Sequence, residues 1–84
     1  MRREQTVDGL TSDSATELRR AARGNEHVAV ADATDDSVRV VGEDEGLREL
    51  VRTLWVRELS AQEFGQPGLA AADRAVRMRL QRQV

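Results

Sequence analysis

Residues 46–64 read GLRELVRTLWVRELSAQEF, and this stretch decides the fold. Leu47, Leu50, Val51, Leu54 and Trp55 recur at the spacing of one face of an α-helix. The segment is therefore expected to be a long central helix with Leu54 and Trp55 in the core. Glu58 falls on the same stripe, where a carboxylate must sit at the core edge or meet an arginine. Phe64, at the end of the helix, is expected to be a core residue as well. On the outward side lie Arg48, Glu49, Arg52 and Arg57.

Working outward, Gly42-Glu43-Asp44-Glu45 leads into this helix, with Asp44 as the expected N-cap and three acids suited to the helix dipole. Before it come two short β-branched runs, His27–Asp32 (HVAVAD) and Ser37–Val41 (SVRVV). Their alternation predicts a hairpin with Val30 opposite Val40 and Ala33 opposite Ser37. Thr34-Asp35-Asp36 would form its exposed tip, with Asp36 left-handed. A two-stranded sheet is marginal alone, so its valine face must lie on helices. Ser14-Ala15-Thr16-Glu17 fits a capping box and opens a short helix to Arg23, with Gly24 expected to end it in the left-handed conformation. Residues 1–13 carry few sizeable apolar side chains and read as a flexible tail, or as a short edge strand around Gln5–Leu10. After residue 64, Gly65-Gln66-Pro67-Gly68 breaks the chain and Pro67 suits the first turn of a last helix. That helix carries Leu69, Ala72, Val76, Leu80 and Val84 on one stripe. The expected fold is α+β in the order short helix, β-hairpin, long central helix, C-terminal helix. The helices pack on one face of a small antiparallel sheet, and residues 14–84 make a single domain.

The chain is 84 residues long and its large aliphatics and phenylalanine number eight Leu, ten Val and one Phe. Such a stock barely suffices for an autonomous core. The absence of cysteine excludes disulfides and thiolate metal sites. No apolar run approaches membrane-spanning length, and the N-terminus lacks the apolar region of a signal peptide. A cytoplasmic protein with no membrane partner is the expectation.

The sequence is poor in catalytic raw material: one histidine, no tyrosine, and thirteen basic residues that are all arginine. His27 with Ser37 and an aspartate lacks any pattern that brings them together. His27, Glu26 and Asp32 have no metal-ligand spacing. Asp32, Asp35 and Asp36 lack the glycine and distal glutamate of a calcium loop. No glycine-rich phosphate loop occurs. Neither an enzyme nor a cofactor is expected.

Charge is unevenly distributed. Residues 26–49 hold eight acids and two arginines, whereas residues 69–84 hold four arginines and one acid. These four, Arg74, Arg77, Arg79 and Arg82, are the candidate contacts for an acidic partner or a nucleic acid. The function expected is a small non-enzymatic protein-interaction or regulatory module of a prokaryotic type. The alternative is a DNA-binding regulator or antitoxin using the C-terminal helix, either as helix-turn-helix or as ribbon-helix-helix. A homodimer is also expected, with the stripe of the last helix as its seam unless that stripe is covered by Leu47–Leu59 of its own chain.

Overall fold

The computed structural model describes residues 2–83. The chain runs β1 (Arg2–Val7), α1 (Ser12–Arg23), β2 (Val28–Ala33), β3 (Val38–Glu43), α2 (Asp44–Glu63) and α3 (Pro67–Gln81). The three strands form an antiparallel sheet in the order β1-β3-β2. β1 and β2 therefore run parallel to each other with β3 between them. The helices cover one face, so the α+β class expected from the sequence is the one found.

The N-terminal residues form an edge strand, the alternative to a tail, but at Arg2–Val7 rather than around Gln5–Leu10. Arg2–Val7 pairs with β3 along its whole length, from Arg2 opposite Glu43 to Val7 opposite Val38. A strand with one buried apolar residue is nearly invisible in a periodicity reading, but β3 has a free edge there. Val7 is fully buried at its end. Three further contacts hold the strand in place. Arg3 bonds Asp44 at 3.1 Å, the Gln83 side chain donates to the Thr6 carbonyl at 3.1 Å, and Arg79 donates to the Asp8 carbonyl at 3.1 Å. Gly9 turns the chain at a φ of +66°, directly beneath the Arg79 guanidinium.

α1 begins three residues earlier than the capping box implies. Thr11 is the N-cap and its hydroxyl accepts from the Ser14 amide at 3.1 Å. Gly24 caps the helix with a right-handed φ of −80°, not a left-handed one. Asn25 then links α1 to α2, donating to the Gly46 carbonyl at 3.1 Å and accepting from the His27 amide at 2.9 Å. This brings the His27 carbonyl so close to α2 and β3 that a Cβ at Gly42 would lie 2.7 Å from it, and one at Gly46 2.9 Å. Both positions need glycine for that close approach.

Val30 faces Val40 as expected, but a bulge follows at Ala31, and Ala33 faces Val38 rather than Ser37. The bulge has a clear reason. Strict alternation after Val28 and Val30 would place Asp32 on the core side. One extra residue turns Asp32 outward, opposite Arg39, and sets Ala33 against the core. The tip shortens accordingly: the Thr34 amide donates to the Ser37 carbonyl at 2.8 Å. Among the described residues none other than glycine has a positive φ, so Asp36 is not left-handed.

The core joins Val7, Val28, Val38 and Val40 of the sheet to Leu18 of α1, Leu47, Leu50 and Leu54 of α2, and Val76 and Leu80 of α3. α2 starts with Asp44 inside the helix and Glu43 as N-cap, without a side-chain cap bond. It ends in a Schellman motif: Gly65, at φ +70°, donates to the Gln62 carbonyl at 3.2 Å, and Gln66 donates to that of Ala61 at 2.8 Å. Leu54 is fully buried, but Trp55 is 53% exposed and Phe64 74% exposed, against the expectation for both. Trp55 lies about 100° round the helix from Leu54, at the edge of the arc that α3 covers, beside Arg77 and Gln81. Beyond Leu54 the inward positions are Glu58 and Ala61 instead. No helix among the described residues is long and apolar enough to cross a membrane.

Leu54 and Trp55 are neighbours with opposite surroundings, so their truncation should separate cleanly. Leu54→Ala should cost about 2–5 kcal/mol, through lost burial and the cavity left behind. Trp55→Ala should cost about 1 kcal/mol or less. Urea denaturation of both variants checks this, and equal losses would mean that α2 is rotated from the orientation described.

Candidate interaction surface and buried charge cluster

The four arginines of the last helix do not form one surface. Arg77 is mostly buried and donates to Glu58 of α2 at 3.2 Å and to Gln81 at 3.3 Å. Arg79 reaches across to the Asp8 carbonyl. Arg74 and Arg82 are exposed. Arg82 shares a shallow depression with Thr6, Asp8, Arg79 and Gln83. The stripe of the same helix is not free either: Ala72, Val76 and Leu80 are buried in the chain's own fold and Leu69 is half-buried. Val84 lies outside the described residues.

The other chemistry weighed from sequence is dispersed. His27 precedes β2 and Ser37 precedes β3, so they lie at opposite ends of the hairpin, and Ser37 bonds Asp8 at 2.9 Å. His27 and Glu26 form an exposed pair at 3.5 Å. Among the described residues no group of three His, Cys, Asp or Glu side chains could hold a metal ion.

The strongest polar feature was expected from the sequence only at Glu58, which does lie inward and meets Arg77. Glu17 of α1, Glu58 of α2 and Asp73 of α3 are all buried. Glu17 accepts from Arg57, and Arg20 lies 3.5 Å from its other oxygen. Arg57 also lies 3.7 Å from Asp73, close enough for charge attraction but too far for a hydrogen bond. The helices thus meet around three carboxylates and two largely covered guanidinium groups, Arg57 and Arg77. Asp73 is 1% exposed and neither of its oxygens has a hydrogen-bond partner. Burial pushes its carboxyl up to about 6, the Glu17 charge adds to the rise, and Arg57 opposes it. A signal was present in the sequence: Asp73 stands four residues after Leu69 and three before Val76, and Glu17 stands three after Ser14 and four before Ala21. Both spacings place an acid on an inward face.

The second feature is apolar and outward. Trp55, Val56, Leu59 and Phe64 are 53%, 62%, 48% and 74% exposed and fall within one ten-residue segment of the chain. Behind them the helix pair is closed by Ala61, Ala70 and Ala72, which are buried but stand apart from the main core cluster. A depression of about 300 Å3 opens between the two helices, lined by Val56, Arg57, Ser60, Phe64, Leu69 and Asp73 among others. Comparison with protein-family models, with curated proteins and with solved structures returned no match.

The charge cluster makes a definite prediction about pH. In the unfolded chain Asp73 ionises near its ordinary value of 3.8, while in the folded protein it holds its proton to about 6. Between those values the folded state binds more protons, so this group's contribution to stability falls as pH rises through the window and stays low above it. Asp73→Asn cannot ionise. Its stability relative to the parent should therefore rise between about pH 4 and pH 6 and level off, by an amount on the order of a few kcal/mol at most. Denaturant unfolding of both proteins across that range measures the difference, which reports Asp73 together with its coupling to Glu17. A pH-independent difference would show that Asp73 titrates normally.

Proposed function

We propose that this protein is a small non-enzymatic interaction module whose contact surface is the outward face of the second half of α2, with the α2–α3 turn beside it. The observation that carries the reading is the concentration of Trp55, Val56, Leu59 and Phe64 at high exposure in one segment, in a chain otherwise short of large apolar residues. Single exposed apolar residues are ordinary, whereas four large ones within ten residues, both aromatics of the chain among them, favour a contact site, although Trp55 and Phe64 lie toward opposite flanks of α2. Tryptophan and phenylalanine are also the residues that most often anchor interfaces.

A nucleic-acid contact through the last helix has less behind it. Arg77 and Arg79 already hold Glu58 and the Asp8 carbonyl, which leaves Arg74 and Arg82 to meet phosphate. Binding through about two phosphates would be weak and would vanish with modest salt. A regulatory role fits the contact reading, since a small module of this kind acts through what it covers or recruits.

Photo-crosslinking in the source cell tests the reading. A photoreactive residue at Leu59 or Phe64 should capture a protein, either this chain or another. The same probe at Thr6, on the open face of the sheet, should capture little. Equal yields from both faces, or none from either, would defeat the proposal.

A further inference from the structure

The outward face of α2 carries an order of residues that fits one particular partner. Arg52, Val56, Leu59 and Glu63 are all exposed and follow one another at spacings of four, three and four residues. That is the repeat of a helix seam, and it runs along the side of α2 away from Leu47, Leu50 and Leu54. The seam has an apolar centre with a base at one end and an acid at the other, each four residues from its apolar neighbour. Neither Arg52 nor Glu63 has an ion-pair partner among the described residues.

We infer that the occupant of this face is a second copy of the same chain, docked with its α2 antiparallel about a two-fold axis between Val56 and Leu59. The inference rests on the contact reading above and names its partner. In that arrangement Val56 meets Leu59 of the second copy, and Arg52 meets Glu63 of the second copy. The two-fold axis repeats both contacts, so one seam forms two ion pairs around a closed apolar centre. Parallel pairing is excluded by the same order of charges, since it would set Arg52 on Arg52 and Glu63 on Glu63. The antiparallel register brings no other like charges of α2 together, because Arg48 and Glu49 reach past the end of the second copy's helix at Glu63. Trp55 lies on one flank of the seam, so its indole is partly covered on docking.

The size of the seam sets the strength. A 20-residue helix presents a narrow strip, below the ~800 Å2 per partner of a standard stable interface. The dimer is therefore a reversible one, with a dissociation constant on the order of micromolar. Its ion pairs lie at the rim, so salt weakens it.

Sedimentation of the full chain over micromolar to submillimolar concentrations tests this, with Arg52→Glu and Glu63→Arg as probes. The parent should show a monomer–dimer equilibrium. Each single reversal places like charges together twice and should weaken the dimer about tenfold or more. An equimolar mixture of the two variants should regain the parent's affinity as a heterodimer, because both pairs are then opposite in sign. Both residues are exposed, and circular dichroism should find both variants as helical as the parent. A parent that remains monomeric throughout overturns the inference, as does a dimer indifferent to both reversals or a mixture that fails to recover. If the parent is monomeric while a probe at Leu59 captures a different protein, the self-docking fails and the contact reading survives. If it captures nothing, both fail.

Discussion

The structure depends on where a small stock of large aliphatic side chains is placed. Most of them gather at the sheet end, where Val38 and Val40 of the middle strand meet leucines from α1 and α2 and Val76 and Leu80 from α3. β3 is the only strand paired on both edges, so it fixes the positions of the other two. Its junction with α2 is tightened by the glycines that admit the His27 carbonyl. The outcome is one dense core and a helix pair that extends beyond it, in a molecule 38 Å long and about 21–23 Å across.

Beyond the reach of that core, different interactions hold the helices. Ala61, Ala70 and Ala72 let the backbones of α2 and α3 approach closely, and the Glu17–Arg57–Asp73 and Glu58–Arg77 contacts join the three helices. Buried ion pairs of this kind add little net stability, because desolvation offsets most of the attraction. Losing one partner is costly, however, since the other charge is then left buried alone. The cluster therefore fixes the relative register of the helices more than it strengthens them. Within the cluster Asp73 is the group that burial disfavours most as a charge, and the neighbouring Glu17 charge adds to the rise of its carboxyl to about 6.

Much of this was legible in the sequence. The α+β class, the order of the last five elements, the Val30–Val40 pairing and Pro67 at the start of α3 all followed from periodicity and turn chemistry. β1 did not, because RREQTV has no apolar alternation and its pairing is supplied by the free edge of β3, a tertiary fact. The bulge at Ala31 escaped because alternation counts residues without asking where Asp32 would point. Trp55 and Phe64 were assigned to the core on hydrophobicity, although a stripe already filled by Leu47, Leu50 and Leu54 had no arc left for them. The buried acids were visible as inward positions on α1 and α3, but only the fold shows that Arg57 can reach two of them at once.

These misreadings of the second half of α2 share a cause. Up to Leu54 the helix is apolar inside and charged outside, with Leu47 and Leu50 inward and Arg48, Glu49 and Arg52 outward. From Trp55 onward the sense reverses: Glu58 and Ala61 face in, while Trp55, Val56 and Leu59 face out. Such a reversal runs against the stability of an isolated chain, since it buries charge and exposes the side chains that most favour burial. The inner half of the problem is solved by arginines from within the same fold. Among the described residues the outer half is covered only in part, so about half or more of the surface of Trp55, Val56 and Leu59 stays in contact with water. The inverted segment thus links the two features of the molecule: the ions that hold the helices in register are what free the large side chains to face outward.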